Sequence, residues 1–371
     1  MTIEGNLRAI QNCVTNRLAQ TDLGNNRIAG IIGDGPSHYS KSPALWNAGF
    51  GHFGINAVYL PFDIDGSRLP DLVSALRSCD RFIGMNVTVP HKMRVMDFLD
   101  ELDPASQRIR AVNTVVRTSA GRLLGFNTDG EGFIQSISKP QPGQPQRFVE
   151  SLEGRDVLLL GAGGSARAVA FHLSDHLEDG RLVISNRTLE HATSLAAEIQ
   201  KLGRNALAIS EAEVAAWAPK AGLVVNSTTK GQGGLRRLSY NEVTDLEPFS
   251  SLAPSSAPVL RGFSGSEVAA RQRWRELASH AIDANLKISM AIAAAVPKGV
   301  GFYDLIYHPE ESVFLSHGRF TGHPTMNGKA MIVNQAAIAF CKRICSAELK
   351  ARRLDTPETE QRLLEIMYNA W

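Results

Sequence analysis

Short apolar segments and segments with helical spacing alternate along the first hundred residues. The helical ones place apolar residues three or four positions apart, and they are ALWNAGFGHF and LPDLVSALRSC. The strand-like ones are RIAGIIG, AVYLPFD and FIGMNVTV. Pro90 closes the third strand segment and predicts the start of a helix. Strands and helices in this order predict a parallel α/β sheet.

A hairpin and a second α/β unit are predicted further along the chain. The segment AVNTVVRTSAGRLLGFN contains two strands around the turn Ser119-Ala120-Gly121, and TDGEGFIQSI starts a helix. Residues 139–146 are rich in Pro and Gln, which predicts a linker or surface loop. Beyond them, helical stretches separate four strands, DVLLLG, RLVISN, NALAIS and LVVNST. A strand, GVGFYDLIY, and a strongly apolar helix, GKAMIVNQAAIAFCKRI, follow.

Two regions fall outside this alternation. The first 26 residues predict a polar amphipathic arm. Between about residues 235 and 298 the alternation is lost, apart from a helical segment around Val268 to His280. We expect this second region to be an insertion on the protein surface.

Composition limits the classes of partner. Lys and Arg number 39 and Asp and Glu 37, so the formal charge of +2 gives no reason to expect nucleic acid or an anionic membrane as the main partner. The longest apolar run, residues 288–296, is far shorter than the roughly 18 residues of a membrane span. The four cysteines form no metal-ligand spacing with the histidines. We expect a reduced, cytoplasmic protein without a metal site.

The segment GAGGSA, Gly161 to Ala166, follows a predicted strand and opens a predicted helix. Glycines there let the backbone approach a pyrophosphate, which the helix N-terminus attracts. The next strand ends in Asn186-Arg187-Thr188, with no acid to accept ribose hydroxyls. Arg187 can pair with a 2′-phosphate, so NADP is favoured over NAD. A tight turn without a ligand and a solvated arginine are the alternatives.

Polar residues also follow the strands of the first unit. Ser40-Lys41-Ser42-Pro43 can form a carboxylate cradle, although Ser-Pro pairs are common in turns. Lys92 follows a strand end, where ligands bind in open α/β folds, although most lysines simply lie on the surface. Asp129, between the two α/β halves, can pair with Lys92 for proton transfer. Alternatively, Asp129 or Thr128 only caps the following helix.

Nine segments, in order from about Arg27 to Phe340, resemble the shikimate dehydrogenase family. They are SKSP (40–43), NVTVPHK (86–92), AVNT (111–114), NTDG (127–130), GAGGSAR (161–167), NRT (186–188), NST (226–228), YDLIY (303–307) and MIVNQAA (331–337). The resemblance implies that Lys92 and Asp129 are the catalytic pair. It implies substrate contacts from Ser40, Ser42, Asn86, Thr88, Asn113, Tyr303 and Gln335. It implies NADP contacts from Gly161, Ala162, Gly163, Gly164, Ser165, Asn186, Arg187, Thr188 and Thr228.

The resemblance also implies two α/β domains with a cleft between them. Residues 1–128 and 327–371 would form the substrate domain, its sheet covered by the helix MIVNQAAIAF. Residues 129–326 would form a Rossmann-type NADP domain that contains the insertion. His191 stands where NADP-using members usually carry a second arginine, so NAD stays open as an alternative cofactor. Tyr39, in a loop one residue longer than usual, and Lys329-Ala330 are further departures.

The expected activity is reversible hydride transfer between NADP and a shikimate-like cyclic polyol acid. A quinate or aminoshikimate dehydrogenase is an alternative within the same class, and a ligand sensor without catalysis is an alternative from another class. Proton-transfer residues such as Lys92 and Asp129 argue against the sensor. We expect a monomer or a homodimer.

Overall fold

The computed structural model describes residues 8–18, 24–239, 242–262 and 266–371. The chain divides into two compact units. The first comprises Met1–Gln135, Gln141–Pro145 and Met331–Trp371, and the second comprises Ser136–Pro140 and Gln146–Ala330. Each unit contains a sheet with helices, so the predicted α/β class is confirmed.

A six-stranded sheet organises the first unit. Its strands lie in the order β2-β1-β3-β5-β6-β4. The first three are parallel, and β5 and β6 form the predicted antiparallel hairpin. The bounds are β1 Arg27–Gly33, β2 Ala57–Asp63, β3 Phe82–Val87, β4 Glu101–Leu102, β5 Thr114–Arg117 and β6 Leu123–Phe126.

Five helices follow these strands in the chain. They are α1 Pro36–Tyr39, α2 Ser42–His52, α3 Leu69–Arg77, α4 Pro104–Ile109 and α5 Asp129–Ser138. The described part of the N-terminal arm places Ile10, Cys13, Val14 and Leu18 in the core formed by β1, β3 and α3. These four apolar residues of the predicted amphipathic arm are therefore buried against the sheet.

The prediction that a helix begins at Pro90 is wrong. Residues 88–93 form a turn, and only a short 3₁₀ helix, Arg94–Phe98, follows. The carbonyl of Lys92 accepts a hydrogen bond from the Val112 amide at 2.8 Å. Because that carbonyl bonds to a distant segment, it does not take part in a helical ladder.

A parallel six-stranded sheet organises the second unit, in the order β15-β14-β10-β7-β8-β9. The four strands predicted after residue 146 are all present. The strand bounds are β7 Val157–Leu160, β8 Leu182–Ser185, β9 Ala206–Ile209, β10 Leu223–Asn226, β14 Gly301–Asp304 and β15 Thr325–Met326. The helices beside them are α6 Gly164–Ser174, α7 Leu189–Gln200, α8 Val214–Trp217 and α10 Val313–Phe320.

The predicted insertion contains more regular structure than its sequence indicates. It forms an antiparallel sheet of β11 Leu235–Ser239, β12 Glu242–Asp245 and β13 Leu260–Arg261. A 29-residue helix, α9 Glu267–Ala295, follows and extends well beyond the predicted helical segment. Phe249 and Trp274 pack edge to face in a small core of their own.

The C-terminal helices return to the first unit. They are α11 Lys329–Ala339, a π-helical segment Phe340–Ile344, α12 Ser346–Ala351 and α13 Pro357–Asn369. Val333 and Ala337 of α11 pack with Ile31 of β1 and Trp46 of α2. This confirms that the helix MIVNQAAIAF covers the first sheet. Among the described helices, none is long and apolar enough to cross a membrane.

Candidate active site

Lys92 and Asp129 form a close ion pair in the first unit. The distance from Lys92 Nζ to Asp129 Oδ2 is 2.5 Å, and the two side chains are only 12% and 5% exposed. The Val112 amide fixes the backbone of Lys92, and Asp129 is the first residue of α5. A charged pair with so little water around it interacts strongly and keeps a defined geometry.

Asn113 holds the second oxygen of that carboxylate. Its Nδ2 donates to Asp129 Oδ1 at 2.7 Å and also lies within bonding distance of Thr128 Oγ1 and Gln335 Oε1. Its Oδ1 accepts from the Thr128 amide at 2.8 Å. Because every one of these groups is buried, the network fixes the rotamer of Asp129 and the direction of its ion pair.

Gln335 reaches this network because α11 crosses very close to α5. Thr128 Oγ1 donates to the Gln335 carbonyl at 3.1 Å. At Gly132, a Cβ atom would lie 2.7 Å from both the amide nitrogen and the Cβ of Gln335. Only glycine fits at this contact, so Gly132 sets the distance between the two helices.

We expect Gly132→Ala to destabilise the protein by about 1–3 kcal/mol, because the added methyl must push Gln335 away. Urea unfolding measures the change. Gly51→Ala is the matched control, since Gly51 lies on helix α2 of the same unit and no described atom lies within 4 Å of where its added methyl would be. Equal stability of the two variants would show that the close approach at Gly132 does not affect the free energy of unfolding.

Tyr59 on β2 extends the same network, and no motif in the sequence points to it. The Tyr59 hydroxyl donates to Asn86 Oδ1 at 2.6 Å. Burial raises the pKa of Tyr59 well above its usual value. Asn86 Nδ2 in turn donates to the Asn113 carbonyl at 3.2 Å. The only sequence signal for Tyr59 is a tyrosine inside an otherwise apolar strand.

The N-terminal arm supports the loop that carries the two serines. Asp63 accepts hydrogen bonds from the amide and the hydroxyl of Ser37, at 2.8 and 2.5 Å. Asn16 of the arm accepts from the Asp63 amide at 2.9 Å. Ser40 Oγ then accepts from the Ser42 amide at 3.2 Å, at the start of α2. Thr88 lies half-buried just beyond the end of β3.

The glycine-rich turn lies in the second unit, between β7 and α6. Gly161 has a φ of +113°, and a Cβ there would lie 2.7 Å from Ser227 Oγ. Gly163 is the N-cap of α6, is exposed, and has no described atom within 4 Å of a Cβ position. The turn thus leaves open space over a helix N-terminus that begins with Gly164 and Ser165, which fits a bound pyrophosphate.

The other predicted cofactor residues lie at the carboxyl ends of the neighbouring strands. Asn186 Oδ1 accepts from the Ala162 amide at 3.2 Å, which ties the end of β8 to the glycine turn. Arg187 and Thr188 follow and are exposed. Thr228, just after β10, donates to Asn226 Oδ1 at 2.8 Å. The structure therefore collects this predicted set at one edge of the second sheet.

Tyr303 does not belong to either group, and its predicted place in a pocket lining is wrong. The residue has 0% exposure within β14. Its hydroxyl lies 2.9 Å from Ser136 Oγ, and its ring packs edge to face on Phe148. Tyr307, four residues further and beyond the strand end, is only partly buried, and burial raises its pKa.

Within the described part of the chain, no three His, Cys, Asp or Glu side chains are placed to hold a metal ion. The four cysteines are free thiols. Burial raises the pKa of Cys341 to about 12.

Two family models match parts of the chain. Residues 31–115 match the model of the shikimate dehydrogenase substrate binding domain. Residues 144–246 match the model named shikimate / quinate 5-dehydrogenase.

Similar proteins extend the match over most of the chain. A shikimate dehydrogenase (NADP(+)) of Symbiobacterium thermophilum is 34% identical over 324 residues, which cover 86% of this chain and 90% of that one. A crystal structure of shikimate 5-dehydrogenase from Thermus thermophilus, in complex with NADP(H) and shikimate, is 28% identical. The match has a TM-score of 0.62 and covers 93% of this chain and 99% of that one. The chain belongs to the shikimate dehydrogenase family.

Proposed function

We propose that this protein catalyses reversible NADP-dependent hydride transfer between shikimate and 3-dehydroshikimate. The observation that carries the proposal is the Lys92–Asp129 ion pair at 2.5 Å, oriented by Asn113. A positioned pair of this kind is what proton transfer to a reacting oxygen requires. A chain that only senses a ligand has no need of it.

The first unit would bind the acid. Ser40 and Ser42 lie at the N-terminal end of α2, where helix amides and two hydroxyls favour a carboxylate. Asn86, Thr88, Asn113 and Gln335 offer neutral donors and acceptors for ring hydroxyls. A substrate that lacked one of those hydroxyls would leave a buried polar group unpaired, which is a source of selectivity.

The second unit would bind NADP. Residues 161–165 would place their backbone around the pyrophosphate, while Asn186, Arg187 and Thr188 would contact the adenosine ribose. Thr228 would contact the dinucleotide from the end of β10. Bound NADP supplies the hydride acceptor, and its reduced form the donor.

The protein's own residues manage the proton. In the reductive direction, Lys92 Nζ donates a proton to the oxygen of the ring carbonyl as it becomes a hydroxyl. Asp129 keeps Nζ in position through the ion pair, and Asn113 keeps Asp129 in place. The oxidative direction reverses this step, so it starts from the neutral Lys92 amine, which accepts the proton of the substrate hydroxyl and becomes the ammonium group of the ion pair.

A panel of rates tests the proposal. Shikimate and quinate are each offered with NADP⁺ and with NAD⁺, and reduced nucleotide is followed by absorbance. We expect the highest kcat/KM with shikimate and NADP⁺. A preference for quinate would identify a quinate dehydrogenase, and a preference for NAD⁺ would remove the NADP assignment. Binding of both ligands without turnover would favour the sensor.

A further inference from the structure

We infer that Arg236, on the inserted sheet, is a second arginine that binds the 2′-phosphate of NADP together with Arg187. This inference rests on the proposed NADP site, and it assigns a function to the insertion. It makes Arg236 a residue that determines the choice between NADP and NAD.

The fold brings Arg236 to the edge of the sheet where the cofactor residues lie. Arg236 is the second residue of β11 and donates a hydrogen bond from Nη1 to Thr229 Oγ1. Thr229 follows Thr228 directly, beyond the end of β10. Strand β7 lies between β10 and β8 in the sheet, and Arg187 follows the end of β8. The inserted strand therefore carries a guanidinium back to the carboxyl ends of these strands.

Arg236 and Arg187 lie at the same edge of the second sheet, and the charge of Arg187 acts on Arg236. The side chain of Arg236 is partly exposed. Partial desolvation and, to a smaller extent, the positive charge of Arg187 lower its pKa. Lys230 is also affected, since burial and, to a smaller extent, the charge of Arg187 lower its pKa. Three cationic side chains thus gather at this edge.

Within the described residues, only one of these three cations has a carboxylate partner. Lys230 Nζ pairs with Glu211 Oε1 at 2.6 Å and donates to the Ala253 carbonyl at 2.9 Å. In the part of the chain that the structure describes, no carboxylate pairs with Arg187 or with Arg236. Two neighbouring arginines repel each other, and an anion that both arginines bind offsets this repulsion.

The position of Arg187 selects the anion. Asn186, its neighbour, bonds to the Ala162 amide of the glycine turn. The end of the second strand of a dinucleotide-binding unit is where the adenosine ribose lies, and an arginine there accommodates a 2′-phosphate. Arginine binds phosphate oxygens through two parallel N–H groups, so two arginines can enclose one phosphate.

Calorimetric binding of 2′,5′-ADP and 5′-AMP tests the inference without any turnover. The two probes differ only in the 2′-phosphate. We expect Arg236→Ala to weaken 2′,5′-ADP binding by about 10-fold or more, the worth of one charged hydrogen bond, and to leave 5′-AMP binding unchanged. Arg236→Lys should recover part of the loss. Arg261→Ala on β13, whose partner is Glu242, is the matched control.

Each outcome has one meaning. If Arg187→Ala loses the preference for 2′,5′-ADP while Arg236→Ala keeps it, the inference is wrong and the NADP site stands. An equal loss of both probes in Arg236→Ala would also overturn it, since the effect would be structural. If the wild-type protein binds both probes equally, the NADP assignment fails, and Arg236 has no 2′-phosphate to bind.

Discussion

The Lys92→Ala protein is expected to turn over shikimate about 10²–10⁴ times more slowly than the wild-type protein. The loss follows from geometry, because no other cation pairs with Asp129 among the described residues once Lys92 is removed. Asn113 still holds Asp129, so the fold and the nucleotide turn of the second unit keep their contacts. Steady-state rates with NADP⁺ measure the effect.

The same preparation supplies the controls. Nucleotide affinity of Lys92→Ala should match that of the wild-type protein, because the predicted cofactor residues lie in the other unit. Lys201→Ala, which removes an exposed lysine just after α7, should leave turnover unchanged. Near-normal turnover in Lys92→Ala would remove that side chain from the proton-transfer role.

The wild-type protein is expected to lose stability as pH rises from about 4 to about 7, and the Asp304→Asn protein is expected to lose much less. Asp304 is fully buried at the end of β14, and burial raises its pKa from 3.8 to about 7. Hydrogen bonds from Ser312, Ile306 and Asn226, which act in the opposite direction, are too weak to cancel that effect. The folded protein therefore holds a proton that the unfolded chain releases.

The raised pKa determines the sign of the effect. Asp304 contributes its full stability below about pH 4, and the contribution is lost as pH rises to about 7, with a total on the order of 4 kcal/mol. An asparagine has no proton to lose, so the free energy of unfolding of Asp304→Asn should fall less over this range.

Urea unfolding at several pH values measures that difference. Asp179→Asn, at an exposed position, is the control and should follow the wild-type curve. Parallel curves for wild type and Asp304→Asn would mean that the buried carboxyl is ionised throughout this range. The pKa of Asp304 would then not be raised by its burial.

Regular alternation explains why most of the fold was predictable. The two six-stranded sheets consist mainly of short apolar strands, and each strand that was predicted from such a segment is present. The inserted strands were not predicted, because β11 has the sequence LRRLS and pairs through its backbone without an apolar alternation. Pairing partners, rather than local pattern, determine such strands.

The ion pair of the candidate site was predictable for a related reason. Lys92 and Asp129 each follow a strand of the same sheet, so the fold itself brings them together. Tyr59 and Asn16 act through contacts 27 and 47 residues apart in sequence, which no local pattern indicates. Tyr303 was assigned to the substrate pocket only through the family resemblance, and its local sequence does not distinguish a tyrosine that faces a pocket from one that is buried in the core.

Single-turnover formation of NADPH, with wild-type and Lys92→Ala proteins each saturated with shikimate and NADP⁺, tests the central claim most directly. The account predicts rapid NADPH formation by the wild-type protein and formation slowed by about 10²–10⁴ in the variant, with both ligands bound in each. Equal rates in the two proteins, or no NADPH from a wild-type protein that binds both ligands, would contradict it.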